Sequence, residues 1–166
     1  MTTTNRSTHL LWGLVLLCSC QRSSPWQAQQ LSTGDCAFDS TKLCYTAKDT
    51  SNGIELEMLQ MQDQLQLYFQ VHSPIPAYQG HLKEALVTLS SEEEHIQCIA
   101  FRLEGGEKLL MPDSIRDKII ALLLENKPVT IELEGYKTTF QPADFKTHFK
   151  KLKHPFPISN PFRLPF

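Results

Sequence analysis

The chain has 166 residues, of which 41% are hydrophobic and 20% charged, and its net charge is −2. That composition supports one packed domain and excludes wholesale disorder. The near-neutral balance gives no electrostatic footprint for nucleic acid, and no apolar run reaches the roughly 18 residues of a membrane-spanning helix.

Arg6 precedes the apolar run LLWGLVLL at residues 10–17. Eight apolar residues are too few to span a bilayer and match the core of a secretory signal. Leu17, Cys18, Ser19 and Cys20 follow directly. This stretch resembles the lipobox of bacterial lipoproteins, with Leu at −3, a small residue at −1 and Cys at +1. The resemblance implies cleavage after Ser19 and lipid attachment to the Cys20 sulfur. Acyl chains contribute about 0.8 kcal/mol per buried methylene, so several would hold the protein on a membrane. Gln21 stands where an Asp commonly marks inner-membrane retention, so the resemblance implies the outer membrane of a bacterial envelope.

Residues 20–33 are polar, aperiodic and broken by Pro25, which predicts a flexible tether. Trp26 is expected to be exposed or near the headgroups, with docking on the core as the alternative. A single β-rich domain is expected over 34–153. Ile54, Leu56 and Met58 alternate with Glu55 and Glu57, and Leu65, Leu67, Phe69 and Val71 alternate with Gln66, Tyr68 and Gln70. Two runs of period two around Gln62-Asp63 predict an antiparallel hairpin. Further strands are expected at 85–89, 95–103 and, after the Gly105-Gly106 turn, 108–111.

A helix is expected near 113–126. Pro112 and Asp113 precede Ser114, and Asp117 follows it by three, a variant of the capping pattern. Ile115, Ile119, Leu122 and Leu123 share a face that Ile120 and Leu124 widen, which predicts a helix nearly surrounded by protein. Val129, Ile131 and Leu133 alternate with polar residues, and 136–141 returns after Gly135. Pro142 is expected to open a second helix over 142–152, with Phe145, Phe149 and Leu152 facing the core.

The fold class expected is mainly β, an antiparallel β-sandwich, with an α+β antiparallel sheet as the alternative and two helices attached. The order strand, helix, strand, strand, helix over 109–152 resembles the C-terminal part of the invasion-associated locus B family of secreted β-sandwich proteins. That resemblance implies a sandwich.

Cys36, Cys44 and Cys98 remain once Cys18 and Cys20 are set aside. Export permits disulfides. A Cys36–Cys44 bridge across seven residues is expected, worth about 2–3 kcal/mol in the chain-entropy model. The alternatives pair Cys98 with either one.

No spacing of His72, His81, His95, His148 and His154 matches a zinc motif, and no nucleophile elbow, dinucleotide fingerprint or phosphate loop occurs. No cofactor, metal or catalytic residue is therefore assigned. The pairs Glu55/Glu57 and Glu132/Glu134 read as solvating charges.

Residues 21–136 hold nine Lys/Arg and seventeen Asp/Glu, a balance of −8, while 137–166 hold six and one, a balance of +5. Lys146, Lys150, Lys151 and Lys153 ride on the last helix. They could meet an anionic membrane or acidic partner, or lie against the acidic sheet of the same molecule. The tail at 154–166 interleaves four prolines with Phe156, Phe162 and Phe166. It is expected to be extended and to dock through Phe156 and Phe162. The functional expectation is a lipid-anchored envelope protein that acts by protein contact. The alternatives are a periplasmic assembly factor or pilotin-like chaperone that captures an extended peptide, and an envelope hydrolase.

Overall fold

The computed structural model describes residues 24–31, 40–47, 52–92 and 94–153. The expected signal peptide, Cys20, Cys36 and the tail with Phe156 and Phe162 lie outside the described residues.

The protein is mainly β. Its strands are β1 Trp26–Leu31, β2 Ser40–Tyr45, β3 Glu55–Met61, β4 Gln64–Gln70, β5 Glu84–Ser90, β6 His95–Arg102, β7 Lys108–Leu110, β8 Val129–Leu133 and β9 Tyr136–Phe140. Two helices, α1 Asp113–Leu124 and α2 Phe145–Lys153, complete it. The strands join in one antiparallel sheet in the order β1-β2-β3-β4-β7-β6-β5-β8-β9. This is the antiparallel sheet with two helices that the sequence offered as its alternative. The β3–β4 hairpin forms as expected, with Gln62 in the left-handed region at φ 50.

Alternation decides which face is buried. In β3, Leu56 and Met58 are buried, and Leu67 and Phe69 of β4 lie opposite them in register. The sheet curls around this face. Tyr45 of β2 stacks edge-on against Phe140 of β9 at 5.0 Å. The Ile54 amide donates to Thr138 Oγ1 at 2.7 Å. The two ends of the sheet thus meet around one core, where the Lys137 amide of β9 donates to the Asn52 carbonyl at 3.2 Å. Helix α2 packs on β1 and β2, and α1 lies on β4, β8 and α2.

Several expectations are corrected. The fold begins at Trp26 rather than near Gly34, because β1 pairs with β2 along its whole length. Trp26 is 1% exposed and belongs to the core, so residues 26–31 are strand and not tether. Helix α1 has Pro112 at its N-cap with no side-chain cap, and Asp113 pairs with Arg116 at 2.7 Å. Nor is α1 fully enclosed, since Leu124 is 40% exposed. Pro142 lies ahead of α2, where its carbonyl accepts from the Phe145 amide.

The long β4–β5 connection is tied down by Arg102. Its Nε donates to the Ile75 carbonyl at 2.7 Å and its Nη1 to the Leu82 carbonyl at 3.1 Å. Gly106, at φ +77, lets the guanidinium pass where a Cβ would collide with it.

Candidate functional site

The outer face of the sheet carries the most concentrated chemistry. Register places one row of side chains across seven strands: Gln27, Cys44, Glu57, Tyr68, Leu110, Phe101 and Glu84. Neighbouring strands lie about 4.8 Å apart, so these residues stand side by side on one face.

Glu57 is the hub at one end. Lys42 reaches it at 2.6 Å and Lys108 at 2.8 Å, and its side chain is only 14% exposed. Burial pushes its carboxyl up, but hydrogen bonds from Lys108 and Lys42 and the two positive charges outweigh that and hold it below its ordinary value. Lys108 also lies 4.5 Å over the Tyr68 ring, a cation–π contact. Glu57 is therefore not the solvating charge expected from its alternation with Leu56 and Met58. Glu132 pairs with Lys137 at 3.2 Å, which agrees better with a surface role.

Beyond Tyr68 the row turns apolar. Phe101 is 47% exposed and Ile99, two residues away on the same face of β6, is 38% exposed. Leu86 lies opposite Ile99, and Leu110 opposite Phe101. This band abuts a cleft of about 340 Å3 lined by Ile75, Pro76, Ala77, Tyr78, Gln79, Leu86 and Glu134. Tyr78 and Gln79 hydrogen-bond each other at 3.0 Å on its wall. A cleft lined by both apolar and polar groups can take a side chain from a partner.

Sequence reading missed Phe101 and Ile99 as surface residues. The signal was there: Cys98, Ile99, Ala100 and Phe101 are consecutive and apolar, so a strand through them must be apolar on both faces. Ala100 and Cys98 take the core side.

Cys44 and Cys98 both carry free thiols. The expected partner of Cys44, Cys36, lies outside the described residues. The Cys44–Cys98 alternative is ruled out by geometry, because Cys44 stands on the outer face and Cys98 packs against the core face four strands along. Burial raises both thiols, Cys98 to about 11.

Lys146, Lys150 and Lys151 are exposed on α2, and among the described residues none has an ion-pair partner. Lys153 lies 5.3 Å over the Phe149 ring. Helix α2 lies against β1 and β2 through Phe145, Phe149 and Leu152, and its lysines are exposed on the opposite side. Among the described residues no group of His, Cys, Asp and Glu is placed to hold a metal ion, and no helix is long and apolar enough to cross a membrane.

Comparison with family models, curated proteins and solved structures returns no match to this chain.

Proposed function

We propose that this chain is a lipid-anchored protein of a bacterial envelope, held through Cys20 and acting by contact with another protein. The lipobox-like Leu17-Cys18-Ser19-Cys20 supports the anchor, and Gln21 supports the outer membrane. The apolar band at Phe101 and Ile99 carries the contact reading. Apolar side chains this exposed gain about 25 cal/mol per Å2 when a partner covers them.

A second reading, capture of an extended peptide by an assembly factor, is favoured by one observation. The cleft at Ile75, Tyr78 and Glu134 shares Leu86 with the apolar band, so a segment lying along the band could insert a side chain there.

Photocrosslinking from position 101 in intact envelopes tests the contact reading. A discrete adduct that disappears with Ile99→Lys is expected. The same pattern of adducts from an exposed position elsewhere, such as Glu125 at the end of α1, refutes it. For the anchor, Cys20→Ala should abolish palmitate incorporation and release the protein from membranes.

A further inference from the structure

Among the described residues, Lys146, Lys150 and Lys151 of α2 have no ion-pair partner, and the residue that leads to the anchor lies against the same helix. Trp26 opens β1, and its ring packs on Phe145 of α2 at 4.8 Å. Cys20 stands six positions before Trp26, and a fully extended chain covers at most about 3.5 Å per residue. A lipid on Cys20 therefore keeps the Trp26–α2 end within about 20 Å of the bilayer, whatever path the intervening residues take. The rest of the domain can swing, but this end cannot leave.

On the helix, Lys146, Lys150 and Lys153 stand at i, i+4 and i+7, one stripe along a flank. Lys151 lies on the other side of the exposed surface. The buried stripe of Phe145, Phe149 and Leu152 fixes the rotation of the helix, so the lysines cannot turn inward. Among the described residues, two acids stand close to this helix in sequence or in charge interaction, and neither forms an ion pair with its lysines. Asp144 precedes the helix and is exposed, and Asp117, which senses Lys153, is engaged by Arg116 at 2.8 Å.

We infer that the lysine face of α2 docks on anionic phospholipid headgroups and so sets the orientation of the anchored domain on its membrane. This rests on the lipid-anchored reading above. A lipid chain and a basic patch act together, and each lysine near an anionic surface contributes roughly fivefold in affinity. Docking brings α2 to the membrane and leaves the Lys42–Glu57–Lys108 row and the Phe101 band to face other partners.

The test uses the full-length lipidated protein in two kinds of vesicle: phosphatidylcholine alone, and phosphatidylcholine with about 30% phosphatidylglycerol. Flotation reports the anchor, and acetylation of individual lysines by a water-soluble ester, read by mass spectrometry, reports docking. The protein should float with both vesicles. Lys146, Lys150 and Lys153 should be acetylated at least about fivefold more slowly on the anionic ones, while Lys83 reacts alike on both. The protection should vanish at about 1 M salt, where the Debye length is about 3 Å. The variant Lys146→Glu/Lys150→Glu, whose changes are on exposed positions, should float as before and lose the protection of Lys153.

Flotation with equal acetylation on both vesicles overturns the docking and leaves the anchor standing. Failure to float with neutral vesicles overturns the anchor, and the docking with it. Protection found in whole envelopes but not on anionic vesicles overturns lipid docking in favour of an acidic protein.

Discussion

The indole Nε1 of Trp26 donates to the main-chain carbonyl of Gln141, 2.8 Å away and 115 residues later in the chain. One bond thereby joins the first strand to the segment that leads into the last helix. The same ring meets Tyr45 edge-on at 4.7 Å and Phe145 at 4.8 Å. Trp26 closes the curled sheet where its two ends approach.

Trp26→Ala should therefore cost about 3–5 kcal/mol, the usual loss for a buried large aromatic. Trp26→Phe keeps most of the packing but leaves the Gln141 carbonyl without its donor, and should cost about 1 kcal/mol from that bond alone. Urea unfolding of both variants measures this. A Trp26→Ala protein as stable as the wild type would show that β1 is dispensable.

Glu57 lies between Lys42 and Lys108, and Glu57→Gln should destabilise by about 1–2 kcal/mol. The folded protein holds the carboxyl below its ordinary value of 4.5. Between that value and the lower folded one, the unfolded chain binds more protons. The contribution is thus complete above pH 4.5 and is lost as pH falls through the folded pKa. Stability measured against pH should show a smaller acid loss in the Gln variant.

His148 has a buried Nδ1 with no hydrogen-bond partner. Burial lowers its pKa from 6.5, Lys151 lowers it further, and Asp144 opposes them. The folded state therefore favours the neutral ring. Stability is complete above pH 6.5 and declines below it as the unfolded chain takes up the proton first. His148→Leu should flatten this part of the stability profile. An unchanged slope between pH 6.5 and the acid limb would contradict the assignment.

Cys98 faces the core, and burial lifts its thiol from 9.0 to about 11. Its thiolate fraction at neutral pH is then about 100-fold below that of an ordinary cysteine. Iodoacetamide should label Cys98 slowly in the native protein and fast in denaturant. Rapid native labelling at Cys98 would place its side chain on the other face of β6.

Gly106→Ala combines two faults, a positive φ of +77 and a Cβ driven into the Arg102 guanidinium. The guanidinium is held by the Ile75 and Leu82 carbonyls, so it cannot yield freely. A loss of about 1–3 kcal/mol is expected, with faster hydrogen exchange in residues 75–82. Gly105→Ala keeps the φ penalty but meets no neighbour, so it should cost less.

Much of the fold was legible in the chain. The period-two runs at Glu55–Met61 and Gln64–Gln70 and the i, i+4, i+7 spacing of Phe145, Phe149 and Leu152 each specify a buried face by local geometry alone. The strand at Trp26–Leu31 was not legible, because WQAQQL has no apolar alternation. It is a strand because β2 offers it a ladder and the core has room for an indole. Which strands become neighbours was equally out of reach. The short Lys108–Leu110 strand inserts between β4 and β6, and only that insertion sets Leu110 beside both Tyr68 and Phe101. Local sequence determines the direction in which each side chain points, since that depends on backbone periodicity. Tertiary pairing decides which side chains meet, since Glu57, Lys42 and Lys108 come from three strands whose register no single segment encodes.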